Sequence, residues 1–133
     1  MAEMSDYLEN KLLNLTLNGT SFAGMNNPFV SLHTTNPTDA AIPSTEKSGG
    51  SYVRVAASFN TASGTTGKVV TNADVTFPAA TTVIGVVAFI GLWDSQVGGS
   101  NNMLYHTALD SAKTIDVGDI FKITSGNLSV ELA

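Results

Sequence analysis

Ile84-Gly85-Val86-Val87-Ala88-Phe89-Ile90-Gly91-Leu92-Trp93 is apolar at every position and stops abruptly at Asp94-Ser95-Gln96-Val97-Gly98-Gly99. A strand with one wet face alternates apolar and polar residues. A strand that is apolar on both alternating faces needs cover on both. A helix crossing a bilayer needs about 20 apolar residues, and this run is far shorter. It therefore reads as the central strand of a packed β domain, with other layers or subunits on either side.

The sequence around it is also extended. Phe29-Val30-Ser31-Leu32-His33-Thr34 reads as a strand, and residues 36–50 as a long surface loop rich in Pro, Asp, Ser and Gly. Loops of that length are often binding elements. Extended structure resumes over 52–59, followed by short strands at 68–71 and 74–77, the second closed by Pro78. Beyond the apolar run, a Gly98-Gly99 turn leads to a strand at 103–106, with further strands at 114–117 and 119–123. The last strand alternates, with Leu128, Val130 and Leu132 opposite Asn127, Ser129 and Glu131.

Residues 5–18 read as a helix. Leu8, Leu12 and Leu15 form one apolar stripe with Tyr7 beside it, Asp6 and Glu9 have capping-box spacing, and Gly19 is a natural stop. A helix this short is marginal alone and must dock on a sheet or a neighbouring subunit. Together these signals predict a mainly β chain: an antiparallel β-sandwich or jelly-roll-like domain with one N-terminal α-helix. The expected layout is one domain over 1–133, with 1–19 as helix or arm and 28–133 as the sandwich. No internal repeat of fixed period is visible.

Composition narrows the function. Charged residues are 13% of the 133, against ~25% in an average globular domain. A surface with so few charges has limited means of keeping like surfaces apart, so part of it is expected to be covered by partners. The net charge is −5, and the six basic residues are scattered, which argues against a nucleic-acid-binding face. There is no cysteine, which excludes disulfides, thiol nucleophiles and Cys-ligated zinc. The first residues lack the basic flank and apolar run of a signal peptide, so synthesis in a cytoplasm without secretory export is expected.

Catalytic patterns are missing. His33 and His106 sit in separate predicted strands with no His-x-His or His-x-x-x-His pair, so no metal site is expected from them. Gly-x-Ser-x-Gly is absent, and Gly49-Gly50 and Gly64-x-x-Gly67 lack the Lys-Ser/Thr of a phosphate loop. Asp110, Asp116 and Asp119 lie close in sequence but do not have EF-hand spacing. Trp93 beside Asp94, with Asn101, has the aromatic and polar mixture of a sugar pocket. The preferred reading of Trp93 is a core or interface tryptophan followed by a turn-forming aspartate. No catalytic residue, metal or cofactor is assigned.

One resemblance extends over nearly the whole chain. Tyr7–Leu13, Val30–Asp39, Gly49–Arg54, Asn72–Ala80, Gly91–Asp94 and Val117–Lys122, in that order, resemble small bacteriophage virion proteins of the tail-fibre-like or capsid-associated kind. The resemblance implies a non-enzymatic structural protein of a phage particle, assembled in the host cytoplasm, and it brings no catalytic motif. The chain is short and has no heptad run or fibrous repeat from which a shaft could be built. The leading expectation is accordingly a capsid decoration or cement protein that binds the major capsid protein. A homotrimer is expected from the threefold positions of capsid lattices. The alternative is a tail component or receptor-binding tail-fibre protein that holds surface carbohydrate. Tyr7, Leu8, Leu12, Leu15, Ile42 and Trp93 are the candidate partner-binding residues, with no nucleic acid or membrane among the partners.

Overall fold

The computed structural model describes residues 2–97 and 102–132. β1 (Glu3–Met4) precedes α1 (Asp6–Leu17), and β2 (Phe29–His33), β3 (Val55–Ala56), β4 (Lys68–Val70) and β5 (Val75–Thr76) follow. The chain ends with β6 (Gly85–Trp93), β7 (Met103–Ile115), β8 (Lys122–Ile123) and β9 (Ser129–Glu131). The fold is mainly β, its sheets are antiparallel, and the helix lies near the N-terminus, as the sequence predicts. The Gly98-Gly99 turn and Asn101 lie outside the described residues.

The apolar run is the middle strand. The main sheet has the order β1-β7-β6-β2-β3, and the pairs β4-β9 and β5-β8 form two small ribbons. Val30 stands opposite Leu92 and Leu32 opposite Ile90. These four join Val75, Phe77, Leu128 and Val130 in one buried cluster, so the ribbons cover this face of the sheet. Phe77 lies parallel to Tyr52 at 6.2 Å and edge-on to Phe121 at 5.7 Å, which ties the β5-β8 ribbon down.

The opposite face is covered at one end only. Ser31, His33 and Trp93 are buried there, whereas Val86 near the start of β6 is 46% exposed. Two-sided cover therefore holds over the Trp93 half of the strand and fails over the Gly85 half.

β7 corrects the strand boundaries. The separate strands predicted at 103–106 and 114–117 are one element, interrupted in register rather than in course. Phe89 pairs with Ala108 and Val87 with Lys113, so residues 109–112 stand opposite the single Ala88 and bow out of the ladder. The polar Thr107-Ala108-Leu109-Asp110-Ser111 sequence hides this continuity.

The helix starts as predicted, but its cap is one residue earlier than the Asp6/Glu9 spacing indicates. Ser5 is the N-cap: its Oγ accepts the Leu8 N–H at 3.3 Å and donates to the Met103 carbonyl, while its own N–H reaches the Leu104 carbonyl at 3.0 Å. One serine thus closes the helix and fixes it to β7. Gly19, at φ +65°, turns the chain out of the helix in a conformation that costs a glycine little.

Ser5→Ala is expected to cost about 2 kcal/mol, because a buried carbonyl loses its donor along with the cap. An unchanged urea midpoint would refute this coupling.

Candidate functional site

Period-2 alternation places Ser31 and His33 of β2 on the same side as Gly91 and Trp93 of β6, since Ser31 pairs with Gly91 and Phe29 with Trp93. On this face the chain builds a dry polar network. Trp93 Nε1–H donates to Ser31 Oγ at 2.6 Å, and Ser31 Oγ lies 2.6 Å from His33 Nε2. His33 Nδ1 lies 2.8 Å from Thr45 Oγ1, which itself donates to the Ile42 carbonyl at 2.8 Å. Thr45 therefore accepts from Nδ1–H, and Nε2 accepts from the Ser31 hydroxyl. That order of donors makes His33 the neutral Nδ1–H tautomer. Burial drives its pKa down to about 4, with Glu46 opposing and Arg54 and His106 reinforcing the shift.

Arg54 closes the network. Its guanidinium carbon lies 3.9 Å from the centre of the Trp93 ring, and only 3% of the residue is exposed. It grips Glu46 in a two-pronged pair, Nε to Oε1 at 2.8 Å and Nη2 to Oε2 at 2.6 Å, and donates to the Ser95 carbonyl at 3.1 Å. The Tyr52 hydroxyl donates to Glu46 Oε1 and accepts the Leu32 N–H, both at 3.0 Å. Burial, then the charge of Glu46, raises the Tyr52 pKa and keeps the phenol protonated. The loop that carries Thr45 and Glu46 is thereby bolted to the sheet. It holds a 3-10 turn at Pro43–Thr45 and a single bridge between His33 and Glu46.

Gly91 leaves the room this requires. A Cβ there would sit 2.9 Å from both Ser31 Oγ and Trp93 Nε1.

Ser31 beside His33 has the composition of a nucleophile and base, but Ser31 and His33 are each 0% exposed and their hydrogen bonds are directed inward. Among the described residues no buried side-chain nitrogen or oxygen lacks a partner. The network braces the sheet against the loop.

The candidate partner-binding residues divide. Trp93 at 2% exposure and Leu8 at 4% are covered by their own chain. The sugar-platform reading of Trp93 fails for the same reason, since Arg54 occupies its ring face. Asp94 is the turn former, accepting the Asn102 N–H at 2.8 Å and its side-chain amide at 2.9 Å. Tyr7 and Leu12 are half-buried, whereas Leu15 and Ile42 are exposed. Leu8 and Leu12 instead line a groove of about 380 Å³ with Phe22, Met25, Phe59 and Tyr105. Asp110, Asp116 and Asp119 do not converge, and Asp119 accepts the Asp116 N–H at 2.9 Å. His106 is drawn instead to Asp39, 2.8 Å away.

The residues that sequence reasoning missed are Glu46, Thr45, Arg54 and Gly91. A lone arginine inside Tyr52-Val53-Arg54-Val55 was the available signal, since a charge there needs a partner if buried.

An antiparallel β domain whose buried polar groups brace a sheet against a long loop is built as a structural module. The sequence model of the family described as "Podophage GP4 fiber I protein gp80" matches residues 3–131, and the chain belongs to that family of phage virion structural proteins. No curated protein matches the chain. Among the described residues, no helix is long and apolar enough to cross a membrane.

Between about pH 6.5 and 4 the unfolded chain takes up the His33 proton that the folded chain excludes. Stability should therefore fall by ~3 kcal/mol as pH drops through that window. Denaturation midpoints of wild type and His33→Gln across this range test it, and equal slopes would refute it. Glu46→Ala should cost about 3–5 kcal/mol by stranding the Arg54 charge, and adding Arg54→Met should recover much of that loss. An additive double variant would contradict this pairing.

Proposed function

We propose that the chain is a non-enzymatic component of the fibre apparatus of a phage particle, assembled in the host cytoplasm, which attaches to other virion proteins and to copies of itself. The observation that carries this reading is the match over residues 3–131 to a family described as a fibre protein. The geometry supports it: the buried polar network is occupied with holding a loop in place, and Ser31 and His33 are closed to any substrate.

The attachment surface in this reading is the outer side of α1. Leu13, 55% exposed, and Leu17, 76% exposed, stand one turn apart on the same face of the helix. Covering these leucines removes apolar area from water, and repeated copies on a particle add avidity to a weak single contact.

Capsid decoration is the second reading. It is favoured by the absence of any fibrous repeat or heptad run in the sequence.

Electron cryomicroscopy of particles with an antibody-labelled chain separates the two. Label confined to fibres is expected; label over the whole shell, in regular proportion to the major capsid protein, would overturn the fibre reading. Leu13→Glu combined with Leu17→Glu should leave folding within about 0.5 kcal/mol of wild type yet abolish incorporation into particles. Normal incorporation would remove α1 from the attachment surface.

A further inference from the structure

The topology brings three distant segments together at the N-terminal edge of the main sheet. Glu3 of β1 pairs in register with His106 of β7, and the loop after β2 delivers Asp39 to the same point. His106 Nε2 lies 2.8 Å from Asp39 Oδ1 and 3.8 Å from Glu3 Oε2. One ligand atom from each residue falls within 4.8 Å of the other two. The His106 side chain is only 2% exposed, while those of Glu3 and Asp39 are 68% and 50% exposed. Packing therefore holds the imidazole with its nitrogen aimed outward at two carboxylates that water and ions can reach.

The surroundings are acidic. A neighbouring cavity of about 620 Å³ is lined by Glu3, Glu9, Asp39 and Glu131, with no lysine or arginine in its wall among the described residues. The Asp6 N–H bonds to the Asp39 carbonyl at 3.0 Å, so Asp39 is fixed by its backbone as well.

We propose that Glu3, Asp39 and His106 form a site for one divalent transition-metal ion, which pins the N-terminal strand and the long loop to β7. One imidazole nitrogen with two carboxylate oxygens suits Zn²⁺ and similar ions; Ca²⁺ and Mg²⁺ take oxygen ligands alone. Three protein ligands leave an open position toward solvent for water. Zn²⁺ and a proton compete for the Nε2 lone pair, so the metal-bound imidazole is neutral and carries its remaining proton on Nδ1. The site does not depend on where in the particle the chain resides.

Titration calorimetry of the full chain with ZnCl₂, together with its melting temperature, tests the proposal. Near-stoichiometric binding of one Zn²⁺ and a raised melting temperature are expected, and Co²⁺ should give visible absorption bands of a nitrogen- and oxygen-ligated ion. Glu3→Ala and Asp39→Ala alter exposed carboxylates, so a native circular-dichroism spectrum should be kept while affinity falls about tenfold or more. If His106→Gln fails to fold, these two variants still decide the matter. Absence of Zn²⁺ binding at millimolar concentration, or binding that neither carboxylate variant weakens, would overturn the site.

Discussion

A single cation held between an indole and a carboxylate organises the second face of this protein. Arg54 lies against the Trp93 ring and is gripped by Glu46, and both partners are largely withdrawn from water. A charge in that position is tolerable only while its partner stays, so the loop bearing Glu46 is committed to the sheet. The neutral His33 follows from the same enclosure: burial disfavours the charged imidazole, and the nearby Arg54 adds to that effect. Gly91 then answers a purely spatial demand, because the indole, hydroxyl and imidazole converge where a side chain would stand.

Much of the architecture was legible because burial leaves a periodic trace. The uninterrupted run at 84–93 announced a central strand, and β2, β4 and β5 fell where apolar residues met turn signals. The buried network was not legible, since it joins Ser31, Thr45, Glu46, Arg54 and Trp93 across the fold. Each of these residues is ordinary in its local context. The continuity of β7 was hidden for a different reason. Thr107, Asp110, Ser111 and Lys113 face solvent or bow outward, so the alternation that marks a strand is lost exactly where the strand is longest exposed. The leucine stripe marked the helix, but which of its leucines face the groove and which face water depends on how α1 sits on β7.

The two halves of the main sheet therefore have different characters. At the Trp93 end both faces are dry and the loop is fixed; at the Gly85 end Val83 and Val86 stand open to water.

The outward bow of β7 has an evolutionary consequence. Pairing resumes beyond residues 109–112 with its register shifted, and Leu109 packs against the core while Asp110, Ser111 and Ala112 are exposed. Length can therefore vary at residues 110–112 without rethreading a strand, which makes this exposed tip, and not Leu109, the natural place for diversification and for a grafted epitope.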